Sequence, residues 1–125
     1  MIVIDSSAWI EYFTDSKNAD YIEKLLDEEE TITPSVVLIE LSCKSARERW
    51  NFLEYLRFIK SKSSIIGMKE ETIIKCGKIY AEERKTKSSF SMMDAVIVSI
   101  TKQNNSNILT KDNHFKDFKE VILLK

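Results

Sequence analysis

Four carboxylates in this sequence stand where a fold can use them together. Asp5 follows the strand-forming triplet of "MIVIDSSAWI", and Asp112 follows "ILT" after one intervening lysine. Asp94 falls in the first turn of "SMMDAVIVSITK", and Glu40 lies in "VVLIEL" with apolar residues on both sides. A glutamate in such a setting is half buried or purposeful. The other three have plainer alternatives: Asp5 and Asp112 can N-cap the segments that follow them, and Asp94 can complete a capping box with Ser91. The set says more than its members. Two carboxylates about 5 Å apart repel by roughly 3 kcal/mol at an effective dielectric near 20. Several such pairs rival a domain's net stability of about 5–15 kcal/mol. A cluster of them needs protons or a cation. Hard oxygen ligands, with His114 as the only histidine, favour Mg²⁺ or Mn²⁺ over zinc. A divalent ion held this way suits phosphodiester hydrolysis, because it ionises a bound water and neutralises charge developing on the phosphoryl oxygens.

The elements that must position these groups follow from the apolar pattern. Short runs at Ile2–Ile4, Ile65–Ile66, Ile108–Leu109 and Val121–Leu124 are predicted strands, with Thr31–Thr33 a shorter fifth. Helical spacing fills the gaps, as in Ala19, Ile22, Leu25 and Leu26, in Trp50, Leu53 and Tyr55–Ile59, and in Ile73, Gly77, Tyr80 and Ala81. Thr33 is the expected N-cap of a helix with Pro34 at its first position. Ser91 is the expected N-cap of a second helix, apolar on nearly every side from Ala95 to Ile100, which suits central packing on a sheet. Strands separated by helices imply right-handed crossovers and a parallel sheet covered on both faces. The predicted fold class is α/β, a three-layer α/β/α sandwich around a mainly parallel sheet. In such sheets ligands bind where strands end and helices begin.

Length and composition set outer bounds. The 125 residues are the size of one domain, expected to span 1–125, and 43% hydrophobic with 31% charged residues is globular composition. The longest uncharged stretch, Thr31–Ile39, is far short of the roughly 20 residues that cross a bilayer. The start of the chain lacks a basic lead-in to an apolar run, so the expected compartment is the cytoplasm. Cys43 and Cys76 lack metal-ligand spacing and read as small buried hydrophobes rather than a bridge. A net charge of −1 does not advertise a polyanion partner, so any such partner must be held locally. Positive charge gathers at Lys44, Arg47 and Arg49, at Lys60 and Lys62, and at Arg84, Lys85 and Lys87.

Three blocks resemble the PIN-domain ribonucleases, and most closely the VapC-type toxins of toxin–antitoxin pairs: "VIDSSAWIEYF", "PSVVLIEL" and "SFSMMDAVIVSITKQNNSNILTKDNHFKDF". They cover roughly half the chain. The resemblance implies that Asp5, Glu40, Asp94 and Asp112 bind Mg²⁺ or Mn²⁺ and hydrolyse RNA, with Ser6 and Thr110 as polar neighbours able to orient water. It also implies a homodimer and a VapB-type antitoxin whose C-terminal segment lies in the acidic groove. The chain departs from the pattern at "KQNNSN", where relatives often carry glycine and where asparagines can take the left-handed turn conformation. Ala46–Lys87 carries no motif of the family.

His114 reads as a packing or capping residue rather than a general base, and Trp9, Tyr12 and Phe13 as core or dimer surface before base-stacking platforms. Asp117 is a further acid close by in sequence. Rival enzymes fit less well. A haloacid-dehalogenase-like phosphatase wants a second aspartate where this chain has Ser7, and a receiver-like domain wants one near "SIIGMKEE", which has none. Neither the dinucleotide nor the P-loop glycine fingerprint is present. A housekeeping RNA-processing nuclease and a metal-free protein-binding module of the same fold remain as alternatives to the toxin.

Overall fold

A computed structural model describes residues 1–125. Five strands form one sheet: β1 (Ile2–Ile4), β2 (Thr31–Pro34), β3 (Ser64–Ile66), β4 (Asn107–Thr110) and β5 (Val121–Leu123), in the order β3-β2-β1-β4-β5 with every pair parallel. β1 is central, and its three β-branched residues are all buried, as a strand covered on both faces requires. Six helices flank the sheet: α1 (Ser6–Phe13), α2 (Ala19–Glu28), α3 (Ser35–Glu48), α4 (Phe52–Lys62), α5 (Glu70–Arg84) and α6 (Met92–Gln103). Successive strands step outward from β1 to β3, and the chain then crosses back to β4 on the other side of β1. With right-handed crossovers, that reversal puts the connecting helices of the two halves on opposite faces. The packing agrees: α1 lies against α2 and α3, α3 against α4, and α5 against α6. The architecture is the expected α/β/α sandwich.

α6 is the predicted central helix, buried continuously from Asp94 to Thr101. Its start has the expected capping box: Asp94 N–H donates to Ser91 Oγ at 3.0 Å and Ser91 N–H to Asp94 Oδ2 at 2.8 Å. The start of α3 corrects the sequence reading, because Pro34 ends β2 and itself occupies the cap position. Thr33 is fully buried in the strand, where its hydroxyl accepts the Trp9 indole N–H at 3.2 Å and pairs with Ser63 Oγ at 2.8 Å. A hydroxyl engaged across the sheet is not available to cap a helix.

Three further readings change. Ile73 is exposed, and α5 turns Thr72, Cys76 and Ile79 inward at i, i+4 and i+7 to meet α6. Cys43 is exposed rather than buried, and both cysteines are free thiols. Trp50 precedes α4 rather than lying in it. In "KQNNSN", Asn105 takes φ of 47°, a conformation asparagine adopts more readily than most residues. No helix is long and apolar enough to cross a membrane.

Candidate active site

The topological switch lies between β1 and β4, the neighbouring strands from which the chain departs in opposite directions. Side chains beyond their carboxyl ends therefore line a crevice that no crossover covers. Asp5 follows β1 there, and Thr110 and Asp112 end and follow β4. The other two acids arrive on helices, Asp94 in the first turn of α6 and Glu40 in the second turn of α3. Four separate segments thus deliver the four carboxylates to one edge.

Asp5 is the most enclosed. Its Oδ2 accepts the Ser7 hydroxyl at 3.0 Å and the Thr110 hydroxyl at 2.8 Å. Both hydroxyls are aimed by the backbone after β4, since Lys111 N–H donates to Ser7 Oγ and Asp112 N–H to Thr110 Oγ1, each at 2.9 Å. Each hydroxyl accepts a backbone N–H through one lone pair and directs its single proton to the carboxylate. Burial nevertheless pushes the Asp5 carboxyl above its ordinary value, and Asp112 adds to the rise. It makes no side-chain cap to α1, so simple N-capping does not account for its position.

Asp94 retains its capping role and gains a second partner. Its Oδ2 takes the Ser91 N–H at 2.8 Å and lies 3.0 Å from His114 Nδ1, so both contacts fall on one oxygen. Asp112 caps the short 3-10 turn Asn113–Phe115, with Oδ1 accepting His114 N–H at 2.8 Å. Asp94, Asp112 and His114 each present a ligand atom within 4.8 Å of the others. Glu40 is half-buried and pushed up to about 7 by burial and then by the charges of Asp5, Asp94 and Asp112, with the Ser6 hydroxyl acting the other way. Asp5, Asp94 and Asp112 thus all lie within electrostatic reach of Glu40.

Thr110 thus touches a carboxylate, at Asp5, and Ser6 lies close enough to Glu40 to favour its charged form. Two residues that the sequence reading did not place at the site lie beside its acids. Ser7 stands two residues beyond Asp5, and His114 two residues beyond Asp112, each placed by its turn beside an acid. The i to i+2 spacing after an aspartate is the signal that points to both. His114 is no packing residue, being 40% exposed in its side chain with its ring against Asp94. Asp117 stays outside the group and faces Lys87 instead.

The donor set fits a hard divalent cation. Asp94 and Asp112 are each anchored through one carboxylate oxygen, leaving the other clear of protein donors. Burial first, and the neighbouring acids second, raise the carboxyls of Asp5 and Glu40, and a bound cation would offset both costs.

The family model for the PIN domain matches residues 2–121. Solved structures share the fold at low identity. The toxin–antitoxin complex from Klebsiella pneumoniae aligns with a TM-score of 0.77 at 15% identity, over 98% of this chain and 96% of that one. VapBC2 from Rickettsia felis, bound to a DNA fragment from its promoter, gives 0.78 at 19%, covering 99% and 98%. VapC20 of Mycobacterium tuberculosis, a toxin that cleaves the sarcin–ricin loop, gives 0.75 at 13%, covering 93% of each chain. Compared by sequence, curated proteins give no match.

Proposed function

The chain belongs to the PIN-domain family, and from that premise we propose that it is a Mg²⁺- or Mn²⁺-dependent endoribonuclease, the toxin of a type II toxin–antitoxin pair. The observation that carries the reading is the convergence of four carboxylates at the switch point between β1 and β4, where burial and then the three other acids raise Glu40 to about 7. Asp5, Glu40, Asp94 and Asp112 hold the cation in this account. When bound, a divalent ion supplies an ionised water as nucleophile and neutralises charge on the phosphoryl oxygens.

The chain's own residues do the rest. Ser7 and Thr110 lock Asp5 in one rotamer, so its orientation is fixed before substrate arrives. Ser91 holds Asp94 at the head of α6. Ser6 steadies Glu40. RNA is the substrate class, in keeping with the stated activity of the Mycobacterium neighbour.

The remaining elements of the reading are a cytoplasmic protein of one domain, a homodimer and a VapB-type antitoxin. Toxin–antitoxin complexes are among the neighbouring structures, which supports the partner. Ile39 on α3, Leu53 on α4, and Ile73 and Ile74 on α5 are each more than half exposed, apolar surface that an assembly would cover.

The test is RNA cleavage with and without Mn²⁺ by the parent, Asp5→Asn and Asp94→Asn, with circular dichroism confirming the fold of each. The parent cuts only with metal, and both variants lose at least a hundredfold in rate, the scale of losing a positioned charge in a reaction site. Undiminished cutting by folded variants removes the assignment. If the parent does not cut and gains no thermal stability from Mn²⁺, the protein-binding module takes its place.

A further inference from the structure

Beside the acidic cluster lies a cavity of about 350 Å³, between the α5–α6 connection and the 3-10 turn. That is the lower end of the size range of small-ligand sites, suited to one nucleotide rather than several. Its walls are polar with a single exception, Phe90, whose ring is completely buried beneath it. A base seeking an aromatic face finds none here, whereas a hydroxyl-rich or anionic group finds many partners.

The charges favour an anion. Lys87 Nζ is held 2.7 Å from Glu83 and 3.8 Å from Asp117, and sits 4.6 Å from the centre of the Phe118 ring, so its charge is fixed in place and largely matched. Asp117, the one acid of the lining, is the partner of that lysine. Lys116 is exposed and lines the cavity, and its side chain has no ion-pair or hydrogen-bond partner. Ser88, Ser89 and the Asn113 amide add groups that both donate and accept, as phosphate oxygens and a ribose 2′-hydroxyl require.

The cavity adjoins the proposed reaction centre through His114. His114 forms part of its wall, and the same ring lies 3.0 Å from Asp94 Oδ2. A single strand with one phosphate at the carboxylates therefore has a neighbouring nucleotide at this opening.

We propose that the cavity walled by Lys116, Ser88, Ser89, Asn113 and His114 is the subsite for the ribose-phosphate of the nucleotide adjoining the scissile bond, with Lys116 contacting its phosphate. The proposal rests on the nuclease reading and adds to it where the strand runs. It also accounts for polyanion binding by a chain of net charge −1, because the cation that meets the strand is local.

The experiment measures two things with a single-stranded RNA ten-mer. Cleavage kinetics in Mn²⁺ compare the parent with Lys116→Ala, a Ser88→Ala/Ser89→Ala double variant, and Lys60→Ala on the distant helix α4. Fluorescence anisotropy follows binding over a salt series in Asp5→Asn chains with and without Lys116→Ala. Lys116→Ala is expected to raise KM about fivefold with kcat held, and to lower the salt slope by about 0.7, the loss of one phosphate contact on a single strand. The serine variant raises KM without changing the slope, and Lys60→Ala changes neither. A parent that cuts RNA while both cavity variants match it in KM and slope overturns the subsite and leaves the nuclease standing. A parent that neither cuts nor binds RNA overturns the nuclease reading, and the subsite falls with it.

Discussion

At the scale of single residues, the site is built from acids whose protonation is set by their neighbours. Burial raises both Asp5 and Glu40, Glu40 from 4.5 to about 7 with the help of three other carboxylates. A raised carboxyl binds its proton more tightly in the folded chain than in the unfolded one. The folded, metal-free protein therefore holds extra protons between the ordinary values near 4 and about 7. Its stability is fullest below that window and declines as pH rises through it. Thermal unfolding in chelator should show Tm falling from pH 5 to pH 8, and Glu40→Gln should flatten the decline; an equal slope in the variant would disconnect Glu40 from the effect. The Thr110 hydroxyl gives a second prediction. It is fully buried and donates to Asp5 at 2.8 Å, so Thr110→Val leaves a buried carboxyl short of a donor. The cost in urea unfolding should be about 1–3 kcal/mol, with Thr110→Ser restoring most of it.

At the scale of elements, the head of α6 serves two purposes at once. The capping box that starts the helix also fixes the carboxylate that faces Asp112 and His114. Ser91→Ala should cost about 1 kcal/mol of stability. It should also weaken Mn²⁺ binding, because Asp94 loses the hydroxyl that organises its turn; a stability loss with unchanged affinity would separate the two roles. This helix was legible in the sequence because its signals are local, a serine, an aspartate three residues on and an unbroken apolar run. β1 was legible for the same reason, as a short apolar run ending in Asp5. Thr33 was not, since its hydroxyl is claimed by Trp9 and Ser63, residues 24 and 30 positions away. The inward face of α5 was also hidden, because Thr72 rather than Ile73 meets α6, and only the packed partner decides between adjacent faces. His114 shows the same limit at the site. Its sequence places it near Asp112, but its approach to Asp94 depends on where α6 ends up against β4.

For the whole molecule, the strand order explains why distant segments meet. β1 and β4 are more than a hundred residues apart in sequence yet adjacent in the sheet, so Asp5 and Thr110 come within 2.8 Å only once the long crossover has closed. The carboxylates repel at that edge, and a cation that binds the folded chain alone must stabilise it. Mn²⁺ at about a hundred times its dissociation constant should add about 2.7 kcal/mol, seen as a rise in Tm. The most direct measurement of the central claim is calorimetric titration of Mn²⁺ into the parent, Asp5→Asn, Glu40→Gln, Asp94→Asn and Asp112→Asn at pH 8. One shared site predicts saturable binding by the parent and at least tenfold weaker binding by every variant, although the four residues come from four different segments. Binding by the parent that no single substitution disturbs, or no binding at all, would contradict it.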